Sequence, residues 1–242
     1  MCLHRAANKW RLFYFKGMPV AVDTEYINSI LDATCPTPSS VASILKRYDA
    51  GKGLSIEDAA ALLSVTDPAL LALIYKKAAE VKERVFGSRI VLFAPLYLSN
   101  HCSNGCLYCG FRSSNKGVAR KALTVDEVVA EAGALASMGF KRVLLVTGED
   151  PRWGLDYIVS CVRAVYEKTA MRIVHVNAPP METAGLKELK GAGTGVYQAF
   201  QETYHRPTYG LMHPSGRKKD YDYRLDVMDR ALEAGFEDVG IG

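Results

Sequence analysis

The spacing of apolar residues changes once along the chain, near Gly87. Before that point apolar residues recur every three to four positions, which is typical of amphipathic helices. Cap residues mark several of the starts, for example Asp67 followed by Pro68. The pattern predicts four helices, at 23–34, 38–49, 55–64 and 68–86. We therefore expect residues 1–87 to form an all-helical N-terminal extension, in which residues 1–22 show no clear period.

After Gly87 short apolar runs alternate with helical periods. The apolar runs predict five strands, at 89–98, 141–147, 171–177, 194–200 and 237–242. The helical periods predict four helices, at 124–138, 155–170, 182–191 and 220–235. Alternation of this kind predicts the α/β class, with a parallel sheet and outer helices. We expect residues 88–242 to form a TIM-like (β/α) barrel that stops after its fifth strand and is incomplete at the C-terminus.

Composition narrows the class of protein. Hydrophobic residues make up 49% of the 242 residues, which is enough for a large buried core. No apolar run approaches the roughly 20 residues of a membrane span, and the first residues lack the apolar centre of a signal peptide. We therefore expect a cytoplasmic protein without a membrane partner. The net charge is only +4 and no basic run alternates with aromatic residues, so we expect no nucleic-acid partner.

Three of the six cysteines, Cys102, Cys106 and Cys109, stand close together at the spacing C-x3-C-x2-C. Two glycines in this segment allow the tight turns that bring three sulfurs toward one centre. Three thiolates leave one corner of a [4Fe–4S] cluster without a protein ligand, and a small molecule with an amino and a carboxylate group can bind there. The alternative is a zinc site whose fourth ligand is His101 or a distant side chain. We favour the cluster, because the segment follows a predicted strand and precedes βα units.

Two further candidates lie close to this segment in the predicted fold. Glu149 follows a buried strand directly after Gly148, where its carboxylate can accept hydrogen bonds from an ammonium group at the open iron. The alternative is that Glu149 caps the next helix. Tyr108, between the last two cysteines, either places its ring beside the cluster or fills space in the loop.

Later loops add weaker candidates. Glu202, after the fourth predicted strand, can accept from both hydroxyls of a ribose, and Arg224 can pair with a carboxylate through two hydrogen bonds. Each is equally well explained as half of a surface ion pair. His205 and Arg206 can bind an amino-acid substrate or supply a proton acceptor. The remaining basic residues of this region are interpreted as solvated surface without a role: Lys187, Lys190, Arg217, Lys218 and Lys219.

Taken together, these segments resemble one family, the aromatic-amino-acid lyases of the radical S-adenosylmethionine (SAM) superfamily. The resemblance covers residues 88–242. It rests on six segments: 96–112, 148–151, 200–204, 213–216, 220–225 and 228–231. Within the family the chain resembles most the tyrosine lyases that mature [FeFe]-hydrogenase, followed by the 2-iminoacetate synthases of thiazole synthesis.

The resemblance implies a reaction. The three clustered cysteines would hold a [4Fe–4S] cluster that chelates SAM through its free iron. One-electron reduction, by a ferredoxin or a flavodoxin, would release methionine and a 5′-deoxyadenosyl radical. That radical would abstract hydrogen from tyrosine and lead to cleavage of its Cα–Cβ bond, giving p-cresol and dehydroglycine. Hydrogenase maturation proteins would be further partners, because the maturases convert dehydroglycine to carbon monoxide and cyanide.

The same resemblance implies roles for four other residues. Tyr108 would lie beside the adenine of SAM. Glu149 would contact the SAM amino group, Glu202 the ribose and Arg224 the carboxylate.

The sequence also departs from this family. Its maturases are much longer, with a complete barrel and a C-terminal domain that carries a second cluster at a C-x2-C motif. No cysteine follows Cys161 here, so we expect neither that cluster nor carbon monoxide and cyanide production in this chain. Two alternatives to a tyrosine lyase of hydrogenase maturation stay open: a 2-iminoacetate synthase, and a non-catalytic fragment that binds an iron–sulfur cluster.

Overall fold

The computed structural model describes residues 22–49 and 53–242. Within them lie two compact units, Val22–Val91 and Leu92–Gly242. The aperiodic first segment, apart from Val22, lies outside the described residues.

The first unit is helical. Its four helices confirm the four that the apolar spacing predicts: α1 (Thr24–Ala33), α2 (Pro38–Asp49), α3 (Ile56–Leu63) and α4 (Pro68–Phe86). Local capping explains where they begin, since Ser55 and Asp58 form a reciprocal capping box and the Asp67 side chain accepts from Leu70 N at 2.9 Å. A small apolar core lies in this unit, made of Val41, Ile44, Ala60 and Val65.

The second unit is an α/β structure. Its strands are β1 (Ala94–Ser99), β2 (Arg142–Thr147), β3 (Ile173–Asn177), β4 (Tyr197–Gln198) and β5 (Val239–Gly240). All pairs are parallel and neighbours in sequence are neighbours in the sheet, in the order β1-β2-β3-β4-β5. The helices are α5 (Val125–Ser137), α6 (Leu155–Lys168), α7 (Thr183–Gly191), α8 (Arg206–Met212), α9 (Tyr221–Leu225) and α10 (Val227–Glu233). The predicted α/β class with a parallel sheet is confirmed.

The core lies between the sheet and its helices. Leu145 is fully buried in the middle of β2, where it pairs with Leu96 of β1 and Val176 of β3. Ile158 and Val162 of α6 are also fully buried and belong to the same apolar cluster. A strand buried on both faces reads as a continuous apolar run, which is why Val143-Leu144-Leu145-Val146 predicted β2 correctly.

The first strand is shorter than predicted. It begins at Ala94 rather than at Arg89, and the apolar residues from Ile90 to Phe93 are exposed. Ala94 pairs with Val143, which is only the second residue of β2. In this register Phe93 is opposite Arg142, the first residue of β2, and residues before Phe93 have no neighbouring strand to pair with, whatever their own β propensity.

The predicted helix at 220–235 is two helices, α9 and α10, joined at Asp226. Across the junction, Arg230 Nη2 donates to the carbonyl oxygen of Tyr223 at 2.7 Å. The sequence analysis also missed α8, where Pro207 occupies the first turn. Short helices of this kind carry too few apolar residues to show a period.

The loops that carry the candidate residues follow the carboxyl ends of the strands. The cysteine segment follows β1, Glu149 follows β2, and Glu202 follows β4. Their common position at one end of the sheet was predicted from the βα alternation and is confirmed. In residues 22–49 and 53–242, no helix has the length and apolar character needed to span a membrane.

Candidate functional site

The cysteine loop, residues 100–112, is anchored through its backbone. Ser103 N donates to the carbonyl oxygen of Glu149 at 2.9 Å. From the other side, Gly105 N donates to Ser215 O and Leu107 N to Met212 O, both at 3.0 Å. The loop after β2, the end of α8 and the loop that follows α8 therefore hold the segment in place through backbone hydrogen bonds.

The three cysteines line one cavity. Cys106 is buried, whereas Cys102 and Cys109 are partly exposed, and all three line it. Burial raises the pKa of the Cys106 thiol, while the nearby Lys218 ammonium opposes that shift. Over the described residues, no three His, Cys, Asp or Glu side chains already surround a common point at metal-ligand distance. That the cysteines share one metal centre stays a prediction.

Gly148 brings the loop after β2 against the cysteine loop. A Cβ atom on Gly148 would lie 2.2 Å from the carbonyl oxygen of His101 and 3.2 Å from the Cys102 Cβ. Backbone atoms cannot yield to such a contact as a flexible side chain can. The absence of a side chain at position 148 therefore allows the loop after β2 to approach the cysteine loop this closely.

All seven residues that the sequence singles out for the cluster and SAM line the same cavity at the end of the sheet: Cys102, Cys106, Tyr108, Cys109, Glu149, Glu202 and Arg224. A second cavity shares Glu149 and Arg224 with the first. These two residues thus border both spaces.

Glu149 is bonded at both carboxylate oxygens. Oε1 accepts from Arg224 Nη2, and Oε2 accepts from Asn104 Nδ2 at 2.7 Å. Glu149 does not cap the following 3₁₀ turn, because the cap is Asp150, whose side chain accepts from Arg152 N at 3.0 Å. The alternative role as a helix cap is therefore excluded, and the carboxylate faces the cavity with a cation and an amide beside it.

Glu202 has an unusual backbone. Its φ is +72°, a value that no other non-glycine residue adopts in the described parts of the chain. Its Oε1 accepts from Lys218 Nζ at 3.1 Å. Lys218 is only 8% exposed, so its interpretation as solvated surface was wrong. The sequence gives no sign that Lys218 is buried, because it stands between two other basic residues, Arg217 and Lys219, which are exposed.

Tyr108 forms a hydrogen bond with a buried histidine, His213. Its hydroxyl lies 2.8 Å from His213 Nε2, and His213 Nδ1 lies 2.9 Å from the carbonyl oxygen of Tyr209. A carbonyl only accepts, so Nδ1 carries the proton, Nε2 is the acceptor and the Tyr108 hydroxyl donates. Burial lowers the pKa of His213, which favours this neutral form. The sequence signal for His213 was its place in the segment His213-Pro214-Ser215-Gly216.

His205 and Arg206 do not join the cavity lining. His205 Nδ1 lies 2.7 Å from Thr208 Oγ1, and Arg206 forms an exposed ion pair with Asp222. That His205 and Arg206 bind an amino-acid substrate or supply a proton acceptor stays a prediction.

Comparison with known families decides what kind of site this is. The sequence profile described as "Radical SAM superfamily" matches residues 96–242. The chain belongs to the radical SAM superfamily. Among curated proteins this superfamily member is similar to the 2-iminoacetate synthase of Escherichia coli (strain K12), with 36% identity over 190 residues, 78% of this chain and 50% of that protein.

Two solved structures of HydG, a maturase of the [FeFe]-hydrogenase, are similar to this radical SAM chain. One matches with 45% identity and a TM-score of 0.88, over 91% of this chain and 50% of that one. The other, from Carboxydothermus hydrogenoformans, matches with 38% identity and a TM-score of 0.80, over 90% and 50%. The chain spans about half the length of the relatives that it matches.

Radical SAM enzymes use a [4Fe–4S] cluster and SAM. The residues present fit both groups. Three thiols are the donors that an iron–sulfur cluster requires, and they border the same cavity as two carboxylates. The Nε of Arg224 is buried without a hydrogen-bond partner, so a guanidinium donor is available beside the cavity. An amino acid such as the methionine end of SAM carries the carboxylate that this donor suits.

Proposed function

We propose that this chain is the cluster- and SAM-binding part of a radical SAM lyase that cleaves the Cα–Cβ bond of tyrosine to p-cresol and dehydroglycine. The observation that supports it most is the shared cavity, where three cysteines from one loop meet acidic and basic side chains from three others. The 45% identity with HydG supports the choice among radical SAM enzymes. In this proposal residues 88–242 form the barrel domain and residues 1–87 a helical extension.

The chain's own residues have distinct roles. Cys102, Cys106 and Cys109 would hold the cluster through their thiolates, with one iron left for SAM. The bound cluster and SAM together supply the 5′-deoxyadenosyl radical. Glu149 accepts from the SAM amino group, which it can do because each carboxylate oxygen accepts one hydrogen bond in the structure and has a second lone pair.

Three further residues orient the rest of SAM. Glu202 accepts from the ribose hydroxyls, and its side chain lines the cavity beside Lys218. Arg224 binds the carboxylate, and the ring of Tyr108 lies against the adenine. Tyr108 is held at its hydroxyl by His213.

Tyrosine is the small-molecule substrate in this proposal. A ferredoxin or flavodoxin supplies the electron, and hydrogenase maturation proteins receive the product. A second candidate is 2-iminoacetate synthesis for thiazole formation, which the 36% identity with the Escherichia coli enzyme favours. Both candidates share the tyrosine step.

The test is turnover by the purified chain. After anaerobic reconstitution with iron and sulfide, the protein is reduced with dithionite and given SAM and tyrosine. We expect 5′-deoxyadenosine and p-cresol, each absent from a Cys106→Ala control. 5′-Deoxyadenosine without p-cresol would retain the cofactor assignment and reject tyrosine cleavage by these residues. Neither product from a fully loaded cluster would favour the non-catalytic iron–sulfur fragment.

A further inference from the structure

Asn104, between the first two cysteines of the loop, is 1% exposed. Its Nδ2 donates to Glu149 Oε2 at 2.7 Å, and its Oδ1 accepts from the backbone N–H of Lys218 at 2.9 Å. The two partners fix the amide orientation, since the opposite one would set NH2 against an N–H and an oxygen against a carboxylate. One side chain therefore bonds to two different loops.

Close packing keeps Asn104 in this position. A Cβ atom on Gly216 would lie 2.3 Å from Asn104 Oδ1 and 2.6 Å from its Cα, and Gly216 has a φ of +86°. In the same contact, a Cβ on Gly105 would lie 2.2 Å from Ser215 Oγ. The loop after α8 thus packs directly on the cysteine loop around the buried Asn104.

The bond to Lys218 reaches a second acidic residue. With its backbone held by Asn104, Lys218 directs Nζ to Glu202 Oε1 at 3.1 Å. Asn104 is thereby connected to Glu149 directly and to Glu202 through one residue. Both acids line the cavity with the three cysteines.

We infer that Asn104 is a positioning residue, which sets the carboxylates of Glu149 and Glu202 relative to the cysteine loop and so determines the affinity for SAM. This inference rests on the proposed cofactor site. A merely structural Asn104 would need only Oδ1, because that atom satisfies the buried Lys218 N–H. The Nδ2 bond to Glu149 is what distinguishes positioning from structure.

Asn104→Asp separates the two roles. Aspartate has the same shape and keeps an oxygen for the Lys218 N–H, but it replaces the donor to Glu149 with a second oxygen. Asn115→Asp is the matched control. Asn115 follows in the same region of the chain, and its amide bonds to Gly110 O at 2.9 Å and Gly117 N at 3.1 Å rather than to an acidic side chain.

The measurement is the dissociation constant for SAM, by anaerobic calorimetry, on chains matched for iron content and melting temperature. We expect Asn104→Asp to keep its iron and to bind SAM at least tenfold more weakly, while Asn115→Asp binds as the wild type does. Equal affinity of Asn104→Asp and the wild type would overturn the inference and leave the proposed function intact. A wild type that carries a full cluster and binds no SAM would overturn both.

A double-mutant cycle shows whether Asn104 acts through Glu149. In the background of Glu149→Gln, the new amide can donate to an aspartate at position 104, so Asn104→Asp should change SAM affinity less than twofold. The same tenfold loss in both backgrounds would assign Asn104 a structural role and overturn the inference.

Discussion

Arg224 donates through Nη2 to Oε1 of Glu149, although 75 positions separate them in the chain. The side chains are 5% and 14% exposed, so the pair is almost withdrawn from water. In the proposed function these are the residues that receive the carboxylate and the amino group of SAM. An amino acid carries one ammonium group and one carboxylate. The Glu149 carboxylate is complementary to the ammonium group, and the Arg224 guanidinium is complementary to the carboxylate.

The first prediction concerns the stability of this pair. Arg224→Met leaves the Glu149 carboxylate buried without its cation and should lower the free energy of unfolding by about 3 kcal/mol. Adding Glu149→Gln removes the unpaired charge and should recover part of that loss. Denaturant unfolding followed by circular dichroism measures both. Lys121→Met, which breaks an exposed ion pair with Glu127, is the control and should cost less than about 1 kcal/mol.

If Arg224→Met and the double variant are equally destabilised, the cost comes from lost packing at Arg224 and the ion pair contributes nothing.

The second prediction concerns the contact between loops at Gly148. Gly148→Ala places a methyl group against the His101 carbonyl, so the loops must separate, at a cost of about 1–3 kcal/mol. Iron uptake should fall as well, because Cys102 moves with His101. Gly133→Ala is the control: it lies within α5 with open space at its Cβ and should stabilise the protein by up to about 1 kcal/mol. Unchanged iron content in Gly148→Ala would contradict this account of the loop contact.

The third prediction concerns the metal ligands. Replacing Cys102, Cys106 or Cys109 by alanine removes one of three thiolates, so iron and sulfide content after reconstitution should fall to a small fraction of wild type. Cys35→Ala is the control, because Cys35 is exposed and lies in the helical unit. Iron retained in any of the three variants at the wild-type level would remove that residue from the ligand set.

The fourth prediction concerns pH. Hydrogen bonds from the Arg152 side chain, at 2.9 Å from Nε and 2.8 Å from Nη2, outweigh the effect of burial and lower the pKa of Asp150 to about 2. In the unfolded chain the group titrates near 3.9. The unfolded state therefore takes up the proton first, so the contribution of Asp150 to stability is complete above about pH 5 and is lost as the pH falls from about 4 to 2.

Unfolding of the wild type and of Asp150→Asn at several pH values tests this, because asparagine keeps one oxygen for Arg152 N and Nε but does not titrate. The variant also loses the oxygen that accepts from Arg152 Nη2, a loss that is the same at every pH. The difference in unfolding free energy should be constant between pH 7 and 5 and shrink below pH 4. A difference that does not vary with pH would contradict the assignment.

The spacing of apolar residues correctly predicted those helices and strands whose own residues carry a strong local signal. The helical period at 124–138 predicted α5, which begins with a capping box of Thr124 and Glu127, and the apolar run of β2 predicted a central strand. Strand ends were predicted less well, because pairing decides them: β4 and β5 have only two paired residues each, within longer apolar runs. Pairing partners are far apart in sequence and leave no local trace.

The candidate site was predictable where a residue type and its spacing carry the chemistry, as for the three cysteines. It was not predictable where burial depends on a distant loop. Lys218 is indistinguishable in sequence from its exposed neighbours, and Asn104 acquires its two partners only when the loops after β2 and α8 meet. Both residues had to be found from the structure.

The most direct test of the central claim, that the cysteine loop carries a cluster whose free iron binds SAM, is electron–nuclear double resonance. The reconstituted, dithionite-reduced chain is measured with SAM that carries ¹⁵N in its amino group. We predict a ¹⁵N hyperfine coupling to the cluster, which disappears when SAM is omitted. A four-iron cluster whose spectrum is the same with and without SAM, and which shows no ¹⁵N coupling, would contradict the claim.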